Sequence, residues 1–231
     1  MNRTDLALGS AALMFMAVVP TNCASAAPAG VSLQAPPVTP KFFGTTAIKI
    51  SAKRFWSDWE RARRDASSLP EMRRLIAPAI RLPRARQIAY VQSAVSRMIQ
   101  WRSDTTQWGR HDYWASAEQT LKRGLGDMED RAIVKMQALR ALGVPTSDLY
   151  FTLGRDTVGG PQTVLIVRDG PAYYVLDDTG GPPYRPAHRP EFHPVLTFGY
   201  GAAWVHGKAP ATAKVAGKRS TGAARAFAPT H

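Results

Sequence analysis

The sequence predicts an α+β domain with N-terminal helices packed on an antiparallel sheet. Between Ser51 and Leu142, apolar residues recur at helical spacing, and from Leu149 the pattern changes to short β-rich runs. The pair Asp169-Gly170 then separates two of those runs as a hairpin turn.

The helices come first. Phe55, Trp56, Trp59 and Ala62 recur at threes and fours from Ser51 onward, until Leu69-Pro70 ends or restarts the helix. A short helix is expected over 71–76, before Pro78, and a long one over 84–101, where Ile88, Val91, Val95, Met98 and Ile99 form the apolar stripe. The stretch from Ser103 to Trp114 is polar and aromatic and reads as a loop. Ser116 and Gln119 fit a capping box opening a short helix. Asp127 is placed to cap the clearest helix, 128–142, whose apolar face is Ile133, Met136, Leu139 and Leu142 and whose stop is Gly143 and Pro145. Strands are expected at 149–153, 163–167, 172–176 and 195–200, in a sheet of four to six strands.

The two ends differ in kind. Arg3, the apolar run from Leu6 to Val19 and the small residues Ala24-Ser25-Ala26 read as a signal peptide over residues 1–26, so a periplasmic or secreted protein is expected. Residues 27–42, rich in Pro and Ala, read as an extended leader, 43–206 as the folded domain, and 207–231 as a disordered basic tail. Cys23 is the only cysteine and leaves with the signal peptide, so the mature chain has no disulfide and no thiolate nucleophile. The formal net charge is +13, and residues 1–26 carry one base (Arg3) and one acid (Asp5), so cleavage leaves it unchanged. Such a chain is drawn to anionic surfaces or an acidic partner. Nucleic acid is not expected for an exported protein.

Three segments are candidates for chemistry: Gly124 to Asp130 entering the long helix, Gln162 to Leu165 opening a strand, and Tyr174 to Asp178 on its partner. Counting outward from Asp169-Gly170 as the loop, Gln162 falls directly opposite Asp177, with side chains roughly 5 Å apart on one face. A helix N-terminus at that pair builds a three-residue site, as in hydrolases where the helix dipole activates a thiol, a strand histidine takes its proton and an acid orients the histidine.

These segments, with Phe43-Gly44, Trp56/Trp59, Trp108-Gly109, Asp112-Tyr113-Trp114, Glu118 to Leu121, Lys135 and Arg189-Pro190, resemble the bacterial transglutaminase-like cysteine peptidases, of the periplasmic adhesin-releasing type. The resemblance runs from Phe43 to Trp204 and implies a papain/transglutaminase-like fold. It also implies a cysteine at position 128 and a histidine at position 162, where this chain has Met128 and Gln162; only the acid, Asp177, is kept. A thioether cannot form a thioacyl enzyme, and a carboxamide is no general base near neutral pH. The expectation is therefore a pseudoenzyme binding a protein segment or an inner-membrane receptor.

In the adhesin-releasing relatives, acids flanking the cysteine belong to a calcium site, so the resemblance makes Asp127 and Glu129 candidate calcium ligands. Read as residues alone, Asp127 is the N-cap, and Glu129 and Asp130 complement the helix dipole. Trp108, His111 and Trp114 are candidates to line a substrate cleft, although large aromatics also serve to seal a helix against a sheet. Two alternatives stay open: a hydrolase using other groups in the same cleft, with His111 as base, and a basic surface-binding protein acting through its arginine-rich helices and its tail.

Overall fold

A computed structural model describes residues 38–208. The expected signal peptide, most of the leader and the tail beyond Lys208 lie outside the described residues.

Strand β1 (Thr45–Ile50) comes first, ahead of the helices α1 (Trp56–Ala62), α2 (Pro70–Ile76) and α3 (Arg84–Met98). Short strand β2 (Gln100–Trp101), α4 (Asp104–Trp108), α5 (Ala117–Arg123) and short strand β3 (Leu125–Gly126) lead into α6 (Met128–Ala141). The chain ends in β4 (Leu149–Asp156), β5 (Gly160–Asp169), β6 (Ala172–Leu176), β7 (Phe192–Gly199) and β8 (Ala202–Lys208). The order of the main sheet is β1-β8-β7-β4-β5-β6, and every pair in it is antiparallel. The α+β class and the six strands are as expected.

Several local expectations are corrected. Residues 103–114 are not all loop, because α4 occupies part of them. Leader and tail are shorter than expected: Phe42 is buried against Tyr150, Tyr173 and His206, and β8 continues through Gly207 to pair with β1. Neither segment has a strong period of its own, and the described residues Phe42 and Gly207 gain order by packing on the sheet.

The strands alternate sides, so the sheet separates two apolar clusters. Leu149, Phe151, Leu165, Val167, Leu176 and Phe198 face the helices. Tyr150, Val164, Ile166, Val175 and Trp204 face the other way, covered by Phe42 and Phe43.

Helix α6 is the centre of the molecule. Ten consecutive residues, Asp130 to Leu139, are buried, because α6 packs on β5 and β4 on one side and on α2, α3 and α5 on the other. Its polar residues are therefore obliged to find partners. Arg131 donates to the carbonyls of Ile99 and Asp178, Gln137 to Ala62 O and Tyr200 Oη, and Lys135 to Asp177 O. These bonds tie α6 to the strand ends that carry the candidate site. No helix among the described residues is long and apolar enough to cross a membrane.

Candidate functional site

Chain entry into α6 is tightly specified. Gly124 closes α5 in the left-handed region, at φ 68°, and the next two residues pair with β2 in parallel, Gln100 with Leu125 and Trp101 with Gly126. Asp127 then caps α6 as predicted, its Oδ1 accepting from the N–H groups of Glu129 (3.1 Å) and Asp130 (3.3 Å). Met128 is the first helical residue and is half-buried. One turn of helix is fixed against the sheet by Thr163 on β5, whose hydroxyl donates to Glu129 Oε1 at 2.7 Å. The start of α6 and the residue next to Gln162 are thus joined.

The hairpin register differs from the expected one. Asp169 pairs with Ala172 and Leu165 with Leu176, so the two-residue turn is Gly170-Pro171, not Asp169-Gly170. Gly170 adopts φ 59° and the proline ring fixes the next φ negative, the combination a type II′ turn needs. Carried one step past Leu176, this register sets Asp177 across from Val164. Gln162 is then diagonal to Asp177 on the same face, a separation that long side chains still span.

Gln162 alternates with Thr163 and so lies on the face of β5 turned away from the helices. Gln162 lies opposite Gly154 on β4, and its Oε1 is buried without a partner. Asp177 is almost fully buried and fully engaged. Its Oδ1 accepts from Thr179 N (3.1 Å) and Thr179 Oγ1 (2.7 Å), with Gln92 Nε2 at 3.4 Å. Arg189 reaches its Oδ2 at 3.4 Å and also pairs with Asp156 and with Glu191. Asp177 therefore serves to anchor the loop after β6 and an arginine.

The structure assembles a second group that the sequence did not reveal. Carboxylate oxygens of Asp104, Asp127 and Asp130 lie within 4.8 Å of one another. Asp104 Oδ2 accepts from Tyr113 N (2.6 Å) and Asp130 Oδ1 from Ala115 N (2.8 Å). Their other oxygens, Asp104 Oδ1 and Asp130 Oδ2, are buried with no partner. Burial, reinforced by mutual repulsion, holds the three carboxyls high: Asp104 at about 6, Asp127 at about 7 and Asp130 at about 8. Three carboxylates this close, two of them with an orphaned buried oxygen, fit a hard divalent cation such as calcium. Glu129, expected in this set, is not in it: its carboxylate turns to Thr163 instead, while burial raises its pKa. Asp130 lay inside the recognised motif, but no local spacing connects Asp104 to it.

Residues 64–181 match the family described as "Bacterial transglutaminase-like cysteine proteinase BTLCP". The chain belongs to this family. Among solved structures it is similar to Legionella pneumophila LapG, at 25% identity and a TM-score of 0.53, over 68% of this chain and 88% of that one. Calcium-bound LapG matches equally well, and the EGTA-treated form matches with 86% of its chain covered. No match was found among curated proteins.

Within this transglutaminase-like scaffold the three expected cleft residues take separate roles. Trp114 is corrected to a core residue: it is 1% exposed and packs on Phe55, Phe151 and Phe198. It is the seal between helices and sheet, because only a large ring fills that gap. Trp108 is half-buried against Tyr113, with Arg123 over its face. His111 is exposed and makes no hydrogen bond among the described residues. Nothing therefore aims it at Met128 or Gln162.

Gly126 is the spatial limit of the acidic group. A Cβ added there would meet Asp130 Cβ at 2.7 Å and Thr120 Cγ2 at 3.0 Å. Gly126→Ala is expected to push Asp130 out of the cluster and to cost about 1–3 kcal/mol, as overpacking does. Urea unfolding checks the loss, and a wild-type midpoint would refute it.

Proposed function

We propose that this family member is catalytically inactive. In this reading it is exported to the periplasm, binds calcium at the α6 N-terminus, and uses its cleft to hold a protein segment or a membrane receptor. The observation that carries it is the identity of the residue at the capped start of α6. That position gathers the N-terminal helix field and packs on β5 beside Thr163, yet it holds a thioether. Gln162 adds no base, and Arg189 holds Asp177.

Calcium is supported by the fit of Asp104, Asp127 and Asp130, and by the similarity to a relative solved with calcium bound. A bound cation would neutralise buried negative charge. The protein's own residues shape the site: Asp127 holds the first turn of α6, Tyr113 and Ala115 orient Asp104 and Asp130, and Glu129 locks the helix to β5.

The test is amide hydrolysis by the purified protein with calcium present, against casein and a pool of labelled peptides. No turnover above buffer is expected. Turnover that disappears in Asp177→Ala would sink the proposal.

A further inference from the structure

A surface at the far end of the sheet is built to take something. β1 is an edge strand, so alternate N–H and C=O groups point away from β8. Apart from Thr45 N, which donates to Phe42 O, none of these has a partner among the described residues. The helical layer also stops short of this strand. Ile48 is 59% exposed and Ile50 36%, although Ile50 pairs with Ala203 on the helix-facing side. Beside them opens a pocket of about 400 Å³ whose aromatic walls are Trp56, Trp59 and Tyr200. Trp56 is 60% exposed.

Its charge is one-sided. Lys53 and Arg63 line the pocket and no acid does, while Lys49, which borders it and pairs with Trp204, turns its side chain to the opposite face of the same edge. Arg63 is held by Glu60, whereas Lys49 and Lys53 have no ion pair among the described residues. An edge lysine is a common guard against strand-to-strand aggregation, which accounts for Lys49 alone. It leaves the aromatic pocket and Lys53 unexplained.

We infer that β1 and this pocket form a docking site for an extended acidic peptide. The peptide adds to β1 as a seventh strand. It seats one bulky apolar side chain among Trp56, Trp59 and Tyr200 and sets Asp or Glu beside Lys49 and Lys53. Main-chain bonds supply affinity, while the pocket and the lysines supply selectivity. An anionic membrane would satisfy the lysines and Trp56, but it would leave the open backbone groups of β1 desolvated and unbonded. A peptide strand satisfies all three. Three strands lie between β1 and β5, so this surface is about 19 Å across the sheet from the α6 site. It does not depend on that site's being inactive, and the two readings fail separately.

The experiment is selection of a displayed random decapeptide library on the immobilised protein, followed by anisotropy titration of the best synthetic peptide. Selected peptides are expected to carry acids around one large apolar residue. Binding should weaken at least about tenfold in Trp56→Ala and in the Lys49→Glu/Lys53→Glu pair. N-methylating alternate amides of the peptide should abolish binding in one phase and spare it in the other, because a strand bonds through every second residue. All these substitutions are at exposed positions, and unchanged melting curves confirm the fold. Three results would each overturn the inference: selected peptides without acids, binding indifferent to both variants, or tolerance of N-methylation in both phases. Trp56-dependent binding to phosphatidylglycerol vesicles without peptide binding would also overturn it, in favour of a membrane surface.

Discussion

Met128→Cys is expected to react with a thiol-directed peptidyl probe at least about tenfold faster than free cysteine, and adding Gln162→His is expected to change that rate little. The new thiol would sit at the first position of a 14-residue helix already capped by Asp127, where the dipole favours a thiolate. A histidine at 162 would not serve this thiol as base: Thr163 faces the helices, so position 162 lies with Val164 on the opposite face of β5. It would lie there on the diagonal from Asp177 instead.

The field around that thiol is mixed, which makes the prediction sharper. Asp127, Asp130 and the half-buried Glu129 oppose a thiolate whenever they are ionised. Reactivity should therefore rise with calcium and fall with a chelator. A Met128→Cys variant no faster than free cysteine, with calcium present and the fold intact, would show that the capped start of α6 does not activate a thiol, and a double variant much faster than the single one would put position 162 on the helix side.

Stability of the calcium-free protein is expected to fall as pH rises from about 4 to about 8. The sign follows from the acidic group. Asp130 and Asp127 keep their protons in the folded state up to about 8 and about 7, whereas in the unfolded chain they ionise near 4. Over that window the folded state binds more protons, and each such group removes about 1.4 kcal/mol per pH unit. Asp130, the more deeply placed, dominates, with a total loss on the order of a few kcal/mol. Asp104, raised only to about 6, adds less.

Calcium should reverse the loss. At about a hundred times its dissociation constant, a ligand that binds only the folded state adds about 2.7 kcal/mol. Asp130→Asn should flatten the pH slope and abolish the calcium response. Urea unfolding at about pH 5 and about pH 8, with calcium or chelator, measures all of this. A calcium-free protein equally stable at both values, or one indifferent to calcium, would exclude the three aspartates as a cation site.

Much of the fold is local and was readable. Asp127 caps α6, Ser116 and Gln119 close a capping box on α5, and the strands at 149, 163, 172 and 195 follow their β-rich runs. The turn between β5 and β6 was misplaced because Asp-Gly is a strong turn pair on its own. The neighbouring Pro171, with φ fixed negative, selects a turn one residue further on. That shift moved Gln162 from facing Asp177 to lying diagonal to it.

By itself, the sequence determined the α+β class, the family and the capped start of α6. These depend on residue identity and on periods of a few residues, which the chain carries wherever it folds. Tertiary structure alone decided that β1 closes on β8, that Asp104 joins Asp127 and Asp130 while Glu129 turns to Thr163, that Arg189 takes Asp177, and that Trp114 is core. Each is a meeting of residues far apart in the chain, fixed by which buried polar groups find partners once α6 is enclosed on every side. No local pattern encodes such a meeting, because its energy exists only after the layers have packed.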